Sequence, residues 1–368
     1  MIIRAKNKDL FQHSGLTNIQ LENQARNEEE SRNGETTLIS YPRRIVCELT
    51  NSCNLSCIMC GRNAVDFHPT RFKLEWLKKL SPLFSRSEEI TLMGWGEPTI
   101  HPEFTEILKY VDQFPLKKYF CTNGMKLGDL TDAIFDYHVD IIAVSLDGST
   151  PEMNDRIRKG GSFQKITESL RKIISIRTTR GLTAPYINFV FTAMKDNFHQ
   201  IPDMVDLAAD IGLDEVKVVY FTSFRDDLDS QTLFNMQGDV RAVFDQAAKK
   251  AEEYGIKLKL PYLQGEDPAG SDLHRPCYVG WRDFFIGSDG YIRPCMSTPM
   301  KFLHIDDMNT FDDLWNHPLY RSFRATVNDS GAMPEPCKTC YQSSVANWNL
   351  PRSFIQHGLV FGPEWEDE

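Results

Sequence analysis

Between residues 43 and 260 the hydrophobic positions keep two rhythms. Short apolar runs at 45–49, 90–93, 119–122, 141–144, 187–191 and 216–221 have the length and the β-branched and aromatic content of strands. Between them the apolar residues are spaced as on a helix. Phe163, Ile166, Leu170, Ile173 and Ile174 share one helical face. Val240, Val243, Phe244, Ala247, Ala248 and Ala251 share another, with Gly255 as the C-terminal stop. Strand–helix alternation over six rounds predicts parallel strands joined by right-handed crossovers. Six rounds are fewer than the eight of a closed barrel, so a partial barrel and an open doubly wound sheet both fit. In either case the loops after the strands carry the chemistry.

The rhythm fails at both ends. Residues 1–40 are polar and aperiodic, with Glu28, Glu29 and Glu30 in succession, and read as a loosely held extension. After Pro261 the elements shorten. Residues 284–286, Ser288-Asp289-Gly290 and residues 291–293 read as strand, turn and strand. Thr310 and Asp313 open a helix in the manner of a capping box, with Phe311, Leu314 and Trp315 on its apolar side. The expected organisation is a polar extension over 1–40, an α/β core over 41–265, a small cysteine-rich α+β module over 266–350 and a tail over 351–368.

Composition changes this picture little. The 368 residues are 41% hydrophobic and 25% charged, ordinary for a globular chain. The formal charge of −10 argues against a nucleic-acid partner. No apolar run is long enough to span a bilayer, and the first eleven residues lack the apolar stretch of a signal peptide. The expected compartment is the cytoplasm, without a membrane partner.

The nine cysteines change it more. In a reducing compartment close cysteine spacing points to metal rather than to disulfides. Cys53, Cys57 and Cys60 form a C-x3-C-x2-C run on the loop after the first predicted strand. Three soft thiolates in so short a stretch suit zinc, with His68 as one candidate fourth ligand, or an iron–sulfur cluster with one iron left open. A second group follows after residue 270: Cys277, Cys295 at the end of a Gly-x4-Cys element, and Cys337 and Cys340 as a C-x2-C pair. Four thiolates complete either a zinc ribbon or a cluster.

The early run resembles the signature of the radical S-adenosylmethionine (SAM) superfamily. The likeness continues with Met93-Gly94-Trp95-Gly96-Glu97-Pro98 after the second strand, where that family has its Gly-Gly-Glu element, with Trp95 in place of one glycine. Thr122-Asn123-Gly124 follows the third strand, and Ser145-Leu146-Asp147-Gly148 the fourth. The resemblance implies an α/β fold built as a partial (β/α)6 TIM-like barrel. Cys53, Cys57 and Cys60 would hold a [4Fe–4S] cluster whose open iron chelates SAM. Met59 would lean on the adenine, the backbone around Gly94, Trp95, Gly96 and Glu97 would meet the methionyl amine, Ser145 would touch the ribose or carboxylate, and Arg158 would pair with the carboxylate. Reductive cleavage of SAM would yield a 5′-deoxyadenosyl radical, with a flavodoxin or ferredoxin-type protein as electron donor.

The second group resembles the C-terminal module of the SPASM and shorter "twitch" branch. That implies one auxiliary [4Fe–4S] cluster, fully ligated by Cys277, Cys295, Cys337 and Cys340, which takes an electron from a substrate radical. The twitch likeness favours an oxidoreductase acting on a small polyhydroxylated substrate, a sugar or an aminocyclitol. The alternatives are a peptide maturase and a redox-neutral epimerase. Peptide maturation ranks lower because the residues ahead of Cys47 read as unstructured, where many such enzymes carry a peptide-binding domain. Cys47 and Cys121 read as buried strand thiols. Cys121, beside Thr122 and Asn123, is the candidate hydrogen-atom donor for the epimerase.

Overall fold

The computed structural model describes residues 2–4, 15–64, 68–264, 276–296, 298 and 300–338. Cys340 and the tail expected over 351–368 lie outside them. Eleven strands among these residues form one sheet: β1 (Ile2–Arg4), β2 (Arg44–Cys47), β3 (Glu89–Leu92), β4 (Lys117–Thr122), β5 (Ile141–Ser145), β6 (Tyr186–Ala193), β7 (Glu215–Tyr220), β8 (Lys257–Leu260), β9 (Asp283–Ile286), β10 (Tyr291–Arg293) and β11 (Leu303–His304). Their order is β1-β8-β7-β6-β5-β4-β3-β2-β9-β10-β11. Every pairing from β1 through to β9 is parallel, and only the β9–β10 and β10–β11 pairs are antiparallel. The sheet is not closed, so the α/β fold is that of a partial TIM-like barrel. All six strands expected from the apolar runs are present as β2 to β7.

Two further strands widen this sheet: β8, unannounced by the pattern, and β9, expected as a strand but not as a neighbour of β2. β8 carries only Leu258 and Leu260 as apolar residues, alternating with Lys257 and Lys259. β9 lies parallel to β2, in register from Arg44 with Asp283 to Cys47 with Ile286, so the cysteine-bearing C-terminal part begins by widening the core sheet. The expected strand–turn–strand unit is the β9–β10 hairpin, with Gly290 at φ 81°, a left-handed value that glycine adopts without strain.

The helices that accompany the strands include α1 (Asn18–Asn33), α2 (Leu74–Lys79), α3 (Phe104–Val111), α4 (Thr131–Asp136), α5 (Pro151–Ile157), α6 (Phe163–Thr179), α7 (Ile201–Ile211), α8 (Gln237–Tyr254), α9 (Val279–Arg282), α10 (Phe311–Trp315) and α11 (Pro318–Thr326). The two long helices expected from periodicity are α6 and α8, and Gly255 caps α8 at φ 68°. Thr310 caps α10 by accepting from Asp313 N.

The sheet has two chemically distinct faces. Ile45, Ile90, Phe120, Ile142, Phe189, Val216 and Leu258 are fully buried and belong to one continuous apolar core shared with the helices. The alternate residues on the same strands face the concave side and are largely polar: Arg44, Glu89, Thr91, Tyr119, Cys121, Asn188, Glu215, Lys217, Lys257 and Lys259.

The loosely held extension expected over 1–40 is corrected by α1. A capping box opens it: Thr17 Oγ1 accepts from Gln20 N, and Gln20 Oε1 accepts from Thr17 N. One face of α1 is a buried polar stripe of Gln20, Asn23, Asn27 and Glu30. Gln20 Nε2 donates to the carbonyls of Ser87 (2.7 Å) and Pro115 (2.6 Å), and Asn27 Nδ2 donates to that of Trp281 (2.8 Å). The helix docks by hydrogen bonds to backbone rather than by an apolar face, so hydrophobic periodicity carries no trace of it.

Candidate active site

The first cysteine loop begins where β2 leaves the sheet. Asn51 braces its entry, donating through Nδ2 to the His68 carbonyl (2.7 Å) and accepting from Thr70 N through Oδ1 (2.8 Å). The loop then pairs with the end of α5: Ser56 N donates to the Lys159 carbonyl and Ile58 N to that of Ile157, both at 2.9 Å. These bonds bring Cys53, Cys57, Cys60 and Met59 into one small cluster with Leu55, Ile157, Met194 and Phe221.

Several N–H groups point at these sulfurs. Leu55 N lies 3.4 Å and Asn123 Nδ2 3.8 Å from Cys53 Sγ, and Arg158 Nη1 lies 3.9 Å from Cys57 Sγ. Burial pushes the Cys57 thiol up to about 11, against the pull of Arg158. Such sulfurs become thiolates when metal cations neutralise them, and N–H donors then stabilise the charge. Glu97 and Asp147 nearby are engaged by other partners, so what this loop offers a metal is sulfur, the donor chemistry that suits an iron–sulfur cluster.

The loop after β3 is clamped on three sides. A Cβ on Gly96 would fall 2.3 Å from the carbonyl oxygens of Ser52 and Thr50, and one on Gly94 would fall 2.2 Å from Glu48 Cγ, so both positions need glycine for close approach. Trp95 N donates to Glu48 Oε1 at 2.7 Å, and the Trp95 ring meets Phe224 edge-on. The other Glu48 oxygen accepts from Ser288 Oγ at 2.8 Å, which ties this loop to the C-terminal part. The Glu97 carboxylate accepts from Thr99 N and Oγ1, Thr122 Oγ1 and Asn123 N at 2.6–3.1 Å. It therefore locks the exit of β3 to the exit of β4, and burial raises its pKa against those four bonds. Asn123, held in this way, is the residue that reaches Cys53.

At the end of β5, Ser145 sits half-buried on the concave side. Two residues on, Asp147 is wholly buried and pairs with Arg158 (Oδ2 to Nη2, 2.7 Å), and its Oδ1 accepts from Thr192 N (2.7 Å). The Arg158 fork is thus divided between Asp147 and the Cys57 sulfur, while its buried Nε has no hydrogen-bond partner in the described residues. The resemblance gave Arg158 the SAM carboxylate as its partner and missed Asp147 as its counter-charge within the chain. The signal was present, since Asp147 lies in the Ser145–Gly148 motif.

The concave side continues below the loops. Cys121 is half-buried on β4 with the Tyr119 hydroxyl 3.9 Å from its sulfur, and burial raises its pKa. Lys217 of β7 lies within electrostatic range of Cys121 on β4 and of Arg44 on β2. Strands that far apart in the sheet approach only across a concavity. By contrast Cys47 is sealed in the apolar core, where burial alone drives its pKa up, as befits an inert thiol.

In the C-terminal part Cys277, Cys295 and Cys337 are partly buried against the core. Cys277 is held by Asn328 just past α11, whose Oδ1 accepts from its N–H (2.7 Å) and whose Nδ2 donates to its carbonyl (3.0 Å). The expected fourth ligand, Cys340, is outside the described residues.

A family model described as the radical SAM superfamily matches residues 47–208, from the end of β2 through α7. The chain carries a radical SAM domain. A second model, an iron–sulfur cluster-binding domain of the SPASM type, matches residues 277–341 and so includes all four late cysteines. This radical SAM enzyme therefore carries the domains of a SAM-binding [4Fe–4S] cluster and of auxiliary clusters. Among curated relatives it is 26% identical over 322 residues to the PqqA peptide cyclase of Gluconobacter oxydans, covering 83% of this chain and 84% of that protein. It is 24% identical over 264 residues to a tungsten-containing aldehyde ferredoxin oxidoreductase cofactor-modifying protein of Pyrococcus furiosus, covering 70% of each. In fold it is similar to Streptococcus suis SuiB, solved bound to S-adenosylmethionine and bound to the precursor peptide SuiA, with a TM-score of 0.63 at 15% identity over 95% of this chain and 84% of that one. No helix among the described residues is long and apolar enough to cross a membrane.

Proposed function

We propose that this radical SAM enzyme modifies a peptide side chain by a two-electron oxidation. The observation that carries the reading is the likeness to PqqA peptide cyclase, which runs through both the barrel and the C-terminal module rather than through the SAM-binding half alone. The small polyhydroxylated substrate expected from the twitch resemblance gains no support from the relatives. α1 orders residues of the N-terminal stretch, so an unstructured N-terminus no longer weighs against a peptide substrate.

In this reading Cys53, Cys57 and Cys60 hold the SAM-binding cluster, and Cys277, Cys295, Cys337 and Cys340 the auxiliary one. When bound, the first cluster and SAM supply the radical that takes a hydrogen atom from substrate. Asn123 and Arg158 aim N–H donors at the cluster sulfurs. Glu97 and Glu48 fix the Gly94–Gly96 backbone against which SAM lies. Ser145 meets its ribose or carboxylate and Met59 its adenine. The concave face below holds the substrate, and loop closure over it excludes water. A flavodoxin or ferredoxin-type protein supplies the electron.

The test is anaerobic reconstitution with iron and sulfide, then incubation with SAM, dithionite and synthetic peptides taken from small reading frames beside the gene. Sugars and aminocyclitols form the parallel set. The expected result is 5′-deoxyadenosine together with a peptide lighter by two hydrogens. An oxidised sugar or cyclitol with every peptide unchanged would return the function to a small-molecule oxidoreductase.

A further inference from the structure

Among the described residues, Lys217 on the concave face is a cation without an ion-pair partner. Arg44 pairs with Asp283 at 3.3 Å, and Lys259 and Lys257 reach Glu215 at 3.1 and 3.7 Å. Glu215 Oε2 also accepts from the Tyr186 hydroxyl at 2.8 Å, so this one oxygen serves three partners. Lys217 makes no ion pair or hydrogen bond among the described residues, although it is partly buried and faces Cys121, Lys259 and Arg44. Burial pushes its pKa down, and the pull of Glu215, whose carboxylate pairs with Lys257 and Lys259, does not offset it. A buried ammonium with neither ion pair nor hydrogen bond costs stability, and such groups concentrate where a ligand completes them.

A second unsatisfied group lies beside it. Asn188 is more than nine-tenths buried and its Oδ1 accepts no hydrogen bond among the described residues. Register places the two together. Ser145, Val190, Lys217 and Lys259 form one row across β5 to β8, and Cys121, Ala143, Asn188 and Glu215 form the next row on the same face. Lys217 therefore stands level with Ser145, where SAM is placed, and diagonal to Asn188.

We propose that Lys217 and Asn188 form a carboxylate-binding subsite in the lumen that anchors an acidic residue of the substrate beside Cys121. The proposal rests on the peptide-modifying reading above. A peptide acid satisfies both groups at once: its carboxylate accepts from the Lys217 ammonium, and a backbone N–H donates to Asn188 Oδ1.

Calorimetric titration of the anaerobically reconstituted, SAM-loaded enzyme tests it at fixed ionic strength. The probes are N-acetyl-glutamate methylamide, its glutamine counterpart and glutarate. The wild type is expected to bind the glutamyl probe at least about tenfold tighter than the glutaminyl one, the ratio an ionised hydrogen bond supplies. Lys217→Met should erase that preference while leaving SAM affinity and iron content unchanged, and Lys217→Arg should keep most of it. Asn188→Ala should weaken the glutamyl probe but not glutarate, which guards against a Lys217 variant that fails to fold. Absence of a preference in the wild type overturns the proposal. So does a preference that survives Lys217→Met, or a parallel fall in SAM affinity, which would assign the ammonium to the SAM carboxylate. Glutarate binding as tightly as the glutamyl probe, and still depending on Lys217, would uphold the anion subsite while removing the peptide reading.

Discussion

On β7, Val216 and Val218 turn toward the helices and are fully buried in the apolar core, whereas Glu215 and Lys217 turn into the lumen. β8 divides the same way, Leu258 and Leu260 against Lys257 and Lys259. The outer face is held by non-directional burial, so any apolar residue of similar volume serves there. The inner face gathers charges whose desolvation works against folding and which no packing argument requires. Stability and chemistry are thus separated by a single residue step along each strand. Losses on the outer face should appear in unfolding curves, and losses on the inner face in ligands and turnover.

The widest separation is expected from Cys57→Ala against Phe189→Ala. The first should abolish 5′-deoxyadenosine formation and the SAM-dependent EPR change with little shift in urea midpoint. The second removes a fully buried ring and should cost about 3–5 kcal/mol while the remaining folded enzyme stays active. If Cys57→Ala proves as destabilising as Phe189→Ala, the two faces are not separable.

Asp147→Ala probes the one inner-face group expected to break the rule. It strands the buried Arg158 without its counter-charge and should cost about 3–5 kcal/mol in urea unfolding. The double variant with Arg158→Leu should recover part of that loss. A smaller effect is expected for Gly96→Ala. The new methyl meets two backbone carbonyls, so about 1–3 kcal/mol is lost, together with SAM binding measured by calorimetry.

The smallest effect is a pH dependence set by packing alone. His101 is buried behind the loop after β3, with Nε2 2.9 Å from the Phe72 carbonyl, and burial lowers its pKa. A pKa depressed in the fold means stability fully present above the unfolded value of about 6.5 and lost as pH falls through the folded one. His101→Asn should flatten that limb in urea titrations between about pH 5 and 7.

Sequence alone determined what depends on neighbours along the chain. Strands β2 to β7 were legible because each gathers β-branched and aromatic residues in a short run, and α6 and α8 because their apolar stripes repeat with the helical turn. The early cysteine trio was legible because three ligands of one cluster can come from a single loop. Tertiary structure alone decided the rest. α1 was hidden because its docking face is made of Gln20, Asn23, Asn27 and Glu30, which bond to distant backbone. β9 was not foreseen as a neighbour of β2 because pairing across more than 230 positions leaves no local pattern. The facing of Lys217 and Cys121, the Asp147–Arg158 pair beside Cys57 and the Glu97 clasp on Asn123 exist only once separate strands curve toward one axis. Burial is written into the order of residues, whereas which buried charges meet is set by how the sheet bends.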